Sequence, residues 1–305
     1  MTAAPTISSQ RLAGIGLMLA TGFFFACLDT CGKWLGRSLP TEEVVWARYV
    51  SNFLFVLPLV NPWTTPRLLR PSRPVMQVSR GVIILVSTIL NFTALHYLQL
   101  AQTVSIMFST PLIVAVLAGP ILGEWVGWRR AAAIIVGFLG VIVVTQPGYA
   151  GFHWAMALSV VGAVLYAGGN ILARILVRAD GATVTFFYVG AIGAVLMTPL
   201  MPFSWVWPSS TLAWALMAGM GAAGAVGHYC LILAHKYAPA SILAPFIYTQ
   251  LVWMVLSGWI VFGDVPDGAT LAGAAIVIAS GIYLLWRERV VVGEAKSVPD
   301  PDTPL

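Results

Sequence analysis

Apolar residues recur along the chain in long runs that are separated by short polar segments. Each run has roughly 18 to 23 residues, enough for a helix that crosses a hydrocarbon core of ~30 Å. The segments between runs carry helix breakers, such as Gln146-Pro147-Gly148. The pattern predicts an all-α integral membrane protein with ten transmembrane helices. These are expected near residues 12–33, 44–61, 75–96, 102–122, 130–146, 154–176, 183–203, 212–234, 240–262 and 270–286.

The distribution of Lys and Arg predicts the orientation of these helices. If the N-terminus is cytoplasmic, 13 of the 16 Lys and Arg residues fall on the cytoplasmic side, and only Lys33, Arg37 and Arg48 fall on the other. Cytoplasmic loops of membrane proteins carry such an excess of positive charge. The sequence therefore predicts that both termini lie inside.

Composition supports a membrane protein and disfavours a soluble one. Hydrophobic residues make up 59% of the chain and charged residues 9%, whereas soluble domains average about 25% charged residues. The net charge of +5 does not indicate nucleic acid, because the basic residues stand singly or in small groups between apolar runs. We expect a multi-pass protein of the bacterial inner membrane, a monomer or homodimer in contact with lipid and a small-molecule substrate, with no nucleic-acid partner.

The two halves of the chain resemble each other. Residues 26–37 align with 163–174, and Gly123-Glu124 aligns with Gly263-Asp264. Each half holds five predicted helices, an odd number, so the second copy must enter the membrane from the opposite side. Such inverted repeats are typical of secondary transporters, in which two similar halves expose a central site to each side in turn. We expect one repeat over 1–150, an inverted repeat over 151–290 and a disordered cytoplasmic tail over 291–305.

These features resemble the drug/metabolite transporter superfamily of the EamA type. The resemblance rests on the five-plus-five arrangement, on Gly-Glu and Gly-Asp after the fourth and ninth helices, and on Arg48 near the start of the second helix. Within the superfamily the chain looks most like the aromatic amino acid exporters. The resemblance implies export of amino acids or similar metabolites through a central cavity, without ATP hydrolysis by the protein itself and without a cofactor. The second half lacks an equivalent of Arg48.

Polar residues inside the apolar runs are the first candidates for function, because they are costly in a membrane. Asp29 and Lys33 are spaced i,i+4 and can pair on one helix face, either as a structural ion pair or as part of an outer gate. His228 can relay a proton, bind a carboxylate or simply pack. The amides of Asn91, Asn170 and Gln250 can join helices or bind a substrate.

Aromatic residues and prolines supply the remaining candidates. Pro111 and Pro245 interrupt the fourth and ninth helices, and breaks at corresponding places in two halves indicate either a hinge beside a site or kinked packing. An aromatic pocket stacks well on an apolar or aromatic solute. The residues that could line it, as an alternative to packing or facing lipid, are Met107, Phe108, Tyr166, Tyr248 and Trp253.

Other functions fit the sequence less well. A membrane enzyme usually shows clustered His, Asp or Glu for acid–base or metal chemistry, whereas the four His of this chain are scattered and predict no metal site. A channel needs a continuous polar pore face, which no apolar run supplies. A carrier of drugs or other metabolites remains the nearest alternative to an amino acid exporter, and an integral membrane enzyme is a more distant one.

Overall fold

The computed structural model describes residues 7–61, 63, 65–123, 125, 127–146, 153–238 and 240–297. These residues form helices joined by short turns and irregular segments, without strands. Seven helical stretches among the described residues are long and apolar enough to cross a membrane, and shorter apolar helices accompany them. Two of the seven stretches, Leu100–Leu122 and Ala182–Ser204, are each made of consecutive shorter helices. The helices are α1 (Ile7–Leu35), α2 (Thr41–Val56), α3 (Pro74–Tyr97), α4 (Leu100–Met107), α5 (Thr110–Leu122), α6 (Trp128–Thr145), α7 (Ala155–Asp180), α8 (Ala182–Met197), α9 (Met201–Ser204), α10 (Thr211–Tyr237), α11 (Ala240–Ile247), α12 (Gln250–Ser257) and α13 (Gly268–Ser297).

Two of the expected spans are each divided into two helices. The fourth is interrupted between α4 and α5, and the ninth between α11 and α12, after which a π-helical turn covers Gly258–Phe262. The predicted cytoplasmic tail begins inside α13, which continues to Ser297, and residues 298–305 lie outside the described residues. Glu124, expected to match Asp264, also lies outside them.

Small residues let the helices of the two repeats approach closely. In α10, a Cβ on Gly221 would meet Ser51 of α2, and one on Gly227 would lie 2.8 Å from the Phe25 ring of α1. Contacts this short would force the partners apart, which explains why glycine stands there. These glycines bring α1 and α2 of the first half against α10 of the second.

The α6 and α13 helices form the other close pair. A Cβ on Gly273 would lie 2.6 Å from the carbonyl oxygen of Gly140, and one on Gly140 would lie 2.9 Å from that of Gly273. Further along, the hydroxyl of Ser280 donates a hydrogen bond to the carbonyl of Ala133. The two helices therefore touch along their backbones.

Equivalent local geometry recurs in the two halves. Gly123 ends α5 and Gly263 ends the π-helical turn, with φ of 75° and 73°, a left-handed conformation that glycine adopts at no steric cost. The hydroxyl of Ser109 donates to the carbonyl of Ile106 over 2.7 Å, and that of Thr249 donates to Phe246 over 2.6 Å. The members of each pair are 140 residues apart, so the repeat seen in the sequence is also a repeat of structure.

Candidate functional site

Arg48 of α2 projects into the middle of the helix bundle. Its guanidinium donates one long hydrogen bond, 3.4 Å, to the hydroxyl of Thr88 on α3. It also lies 5.3 Å from the ring centre of Phe92 and 5.8 Å from that of Tyr49. A guanidinium has five N–H donors, so most of the donors of Arg48 remain free to bind an acceptor.

Asp29 of α1 is a second charged residue inside the bundle. The residue as a whole is half-buried, and the charge of Arg48 acts on its carboxylate. The expected pair of Asp29 with Lys33 does not form. Within the part of the chain that the structure describes, Lys33 is paired with Asp264, and Asp29 has no ion pair or hydrogen bond.

The ion pair of Lys33 and Asp264 ties α1 to the segment before α13. The Nζ of Lys33 lies 2.6 Å from a carboxylate oxygen of Asp264 and 2.8 Å from the carbonyl of Leu98. It also lies 4.9 Å from the ring centre of Phe262, which Arg37 approaches at 4.7 Å. The spacing rule for helices suggested Asp29 as the partner, but a residue 231 positions away in the chain takes that place because the fold brings it closer. We call this contact the Lys33 bridge.

His228 of α10 is held between two aromatic rings. Its ring centre lies 4.9 Å from that of Phe25 on α1 and 5.0 Å from that of Phe186 on α8, both edge to face. The charges of Arg48 and Arg80 act on this histidine. The imidazole is therefore packed, which is one of the three alternatives that the sequence left open, and it lies within the electrostatic influence of both arginines.

Arg80 and Tyr166 complete the group. Arg80 of α3 donates to the carbonyl of Gly169 over 3.1 Å and to that of Thr185 over 3.0 Å. Tyr166 of α7 interacts electrostatically with Arg80 and keeps 38% of its surface exposed. We call the residues that five helices bring together here the central cluster. Its members are Asp29, Arg48, Tyr49, Arg80, Tyr166 and His228.

The breaks in the fourth and ninth spans meet beside one another. Phe108 and Tyr248 stand at these breaks, 140 residues apart, and their ring centres lie 4.9 Å from each other. Pro111 is the second residue of α5, just after the first break, whereas Pro245 lies inside α11, three residues before the second. Met107 packs beside Ile113, Ala163 and Ala167.

Among the described residues, the other predicted site residues make no hydrogen bond or ring contact with the central cluster. Trp253 packs edge to face on Phe23, which is 41% exposed, with the two ring centres 5.2 Å apart. Asn170 and Gln250 are half-buried. The side-chain oxygen of Asn91 is buried and accepts no hydrogen bond from the residues described in the structure.

Three residues that are prominent in the structure are not among the site residues predicted from the sequence. The sequence points to Arg48 only through the family resemblance and to Asp264 only through its alignment with Glu124, and Arg80 is not among the predicted site residues. A signal existed for the two arginines, since each falls inside an expected apolar span. No local signal points from Asp264 to Lys33. No group of three or more His, Cys, Asp or Glu within the described ranges is placed to hold a metal ion.

Comparison with known proteins identifies the family. The profile of the EamA-like transporter family matches residues 12–146 and again 153–287. An S-adenosylmethionine uptake transporter of Rickettsia conorii is 27% identical over 91% of this chain and 94% of its own. A riboflavin transporter of Vibrio cholerae is 27% identical over 93% and 96%, and a pseudopaline exporter of Pseudomonas aeruginosa is 25% identical over 89% and 95%.

A solved crystal structure supports the same fold. It covers 92% of this chain and 98% of its own, with a TM-score of 0.58 at 17% identity. The double match to the family profile corresponds to the two structural repeats, and these relatives are transporters rather than enzymes. The chain therefore belongs to the EamA-like transporter family, within the drug/metabolite transporter superfamily, and is a multi-pass protein of the inner membrane.

Proposed function

We propose that this protein is a secondary transporter that moves a small organic metabolite across the inner membrane by alternating access to the central cluster. The observation that carries the proposal is a group of charged and aromatic side chains held deep between two similar halves. Ionisable groups inside a membrane protein typically mark the path of a substrate. Their place between inverted repeats is where secondary transporters bind solute.

The Lys33 bridge supplies one of the two gates in this proposal. It joins α1 of the first repeat to the segment before α13 of the second. One turn earlier in α1, the hydroxyl of Thr30 donates a hydrogen bond to that of Ser257 over 3.0 Å. With both termini inside, as we propose from the positive charges, this end of the bundle is the outer one. In this proposal the bridge closes the outer side, so Lys33 belongs to an outer gate, one of the two alternatives for it, with Asp264 as its partner.

The paired breaks supply the hinge. Ser109 and Thr249 satisfy carbonyls of the preceding turn at the breaks, and Phe108 contacts Tyr248 between them. A helix interrupted in this way bends there more easily than a continuous one. Equivalent bends in both repeats allow each half to adopt the shape of the other, which is the motion that alternating access needs.

Amino acids, aromatic ones among them, are the substrates we would test first, with export as the direction. The relatives named above extend the test to S-adenosylmethionine and riboflavin, and they favour a carrier of other metabolites as the alternative. The aromatic residues around His228 fit a solute with a flat or apolar part in either case.

Counterflow in liposomes tests the proposal. Purified protein is reconstituted, the vesicles are loaded with one unlabelled solute, and uptake of the same radiolabelled solute is followed. A carrier gives saturable uptake into loaded vesicles and little into empty or protein-free ones. If no amino acid, S-adenosylmethionine or riboflavin exchanges through protein that melts cooperatively, the proposed function is wrong for these solutes.

A further inference from the structure

We propose that Asp29 and Arg48 bind the two opposite charges of a zwitterionic substrate. Asp29 would receive a cationic amino group and Arg48 a carboxylate, so the substrate class is a metabolite with an amino acid head group. The inference rests on the proposed function and narrows it, because a transporter of this family could equally carry a solute without charges.

The first observation is the state of Asp29. It lies inside the bundle with no hydrogen bond or ion pair among the described residues, and Lys33, the cation nearest to it along the helix, is held by Asp264 and Leu98. A carboxylate in low-dielectric surroundings is costly unless it is paired. Since part of its surface is accessible, Asp29 can accept hydrogen bonds from a cation that enters the bundle.

The second observation is the state of Arg48. Apart from one long bond to Thr88, the guanidinium contacts only the faces of aromatic rings. Its planar fork matches a carboxylate with two parallel hydrogen bonds. Arg80, the other arginine of the cluster, is less suited to this role because backbone carbonyls of Gly169 and Thr185 already take two of its donors and hold its guanidinium in place.

The third observation is that the two charges do not neutralise each other directly. Arg48 acts electrostatically on Asp29, yet the only ion pair between described residues is the Lys33 bridge. The fold therefore holds a carboxylate and a guanidinium near each other but apart. An amino acid head group carries a cation and an anion side by side and complements this arrangement, whereas a neutral solute would leave both charges unpaired.

The surrounding rings indicate where the rest of such a substrate lies. Phe25, Phe186 and His228 pack together beside the charges, and Tyr166 is partly exposed. Aromatic side chains of this kind stack on a flat or apolar group. The amino acid side chain, or a larger group attached to the same head, would extend toward them.

The experiment uses counterflow with matched solutes and variants. L-phenylalanine, L-methionine and S-adenosylmethionine carry the head group, 3-phenylpropionate lacks its amino group, 2-phenylethylamine lacks its carboxylate, and riboflavin lacks both. Asp29→Asn and Arg48→Gln remove one charge each at nearly constant size. Glu42→Gln and Arg129→Gln remove the same charges at positions outside the central cluster, and they serve as controls.

We expect a zwitterion to be carried and each site variant to raise its half-saturation concentration by about ten- to a hundred-fold, the range for loss of a charged hydrogen bond. Competition by 3-phenylpropionate should not change in Asp29→Asn, and competition by 2-phenylethylamine should not change in Arg48→Gln. Arg48→Lys keeps the charge but loses the fork, so it should retain transport with weaker affinity. The control variants should behave as wild type.

Three results would overturn the inference. Riboflavin carried without any zwitterion would leave the proposed function standing and remove the head-group assignment. Equal loss of every solute in Asp29→Asn and Arg48→Gln, from protein with an unchanged melting temperature, would show that the two residues support the structure of the carrier instead. Absence of counterflow for every solute would contradict both proposals.

Discussion

The Lys33 bridge gives the sharpest prediction about transport, because it can be broken from either side. Lys33→Met removes the ammonium and Asp264→Asn removes the carboxylate charge, with little change in size. If the bridge exists only while the outer side is closed, either change should favour the open state by the free energy that the bridge contributes.

The structure sets the size of this effect. The side chains of Lys33 and Asp264 are 12% and 27% exposed, so the pair lies between a surface ion pair, at ~0–1 kcal/mol, and a buried one, at ~3–5 kcal/mol when one partner is removed. A value of about 2 kcal/mol corresponds to a roughly thirty-fold change in the ratio of closed to open protein. The second hydrogen bond of Lys33, to Leu98, makes its removal the stronger of the two.

Cysteine labelling measures this ratio. The three native cysteines, Cys27, Cys31 and Cys230, are first replaced by alanine. Ser257→Cys then places a thiol of similar size below the bridge, where Ser257 now contacts Thr30. The rate of reaction with a membrane-impermeant maleimide, added from outside, should rise ten- to thirty-fold when Lys33→Met or Asp264→Asn is introduced. Ser209→Cys, in an exposed segment before α10, is the control, and its rate should not change.

A double change separates the bridge from other effects of each substitution. Lys33→Met combined with Asp264→Asn should label about as fast as Lys33→Met alone, because the bridge can be lost only once. Additive effects of the two changes would mean that the residues act separately. Unchanged labelling of Ser257→Cys in both single variants would refute the gate, since the bridge would then hold α1 in place without controlling access.

The remaining predictions concern packing and orientation. Gly273→Ala should lower the melting temperature by several degrees, because its Cβ would meet backbone atoms of α6 and overpacking costs ~1–3 kcal/mol. Gly219→Ala is the control: a Cβ there has nothing within 4 Å, so the melting temperature should stay unchanged or rise. The reverse order of the two melting temperatures would contradict the close packing of α6 and α13. Tyr248→Phe should stabilise the protein in thermal melts or leave it unchanged, because the buried hydroxyl has no hydrogen-bond partner among the described residues; a large loss would show that this hydroxyl is engaged. Alkaline phosphatase fused after Ser38 should be active and a fusion after Arg73 inactive if the N-terminus lies inside, and the opposite result would reverse the proposed orientation.

The class of fold was predictable because it depends on properties that each segment carries by itself. Every apolar run must satisfy its own backbone within the membrane, so run length and hydropathy predict helices without knowledge of their neighbours. The repeat was predictable for a related reason, since Gly123 and Gly263 mark the same left-handed helix end in both halves. Both features are local and leave a trace in the order of residues.

The candidate site was less predictable because it depends on contacts between distant helices. Asp29 and Lys33 have suitable spacing for an ion pair on one helix. Lys33 pairs with Asp264 instead, because α1 packs against the second half of the chain. The break in the ninth span falls at Tyr248 and Thr249 rather than at Pro245, which lies within α11. The burial of a side chain and the choice of its partner follow from tertiary structure, and they cannot be predicted from the spacing of residues along one helix.

The two repeats depart from symmetry at the positions of Asp29 and Lys33. In the alignment of 26–37 with 163–174, Tyr166 stands where the first repeat has Asp29, and Asn170 stands where it has Lys33. Asn170 is uncharged, so it cannot form an ion pair like the Lys33 bridge. This departure leaves the central cluster with one carboxylate, that of Asp29, within the electrostatic influence of Arg48. A substrate with two different ends is matched by such an asymmetric site.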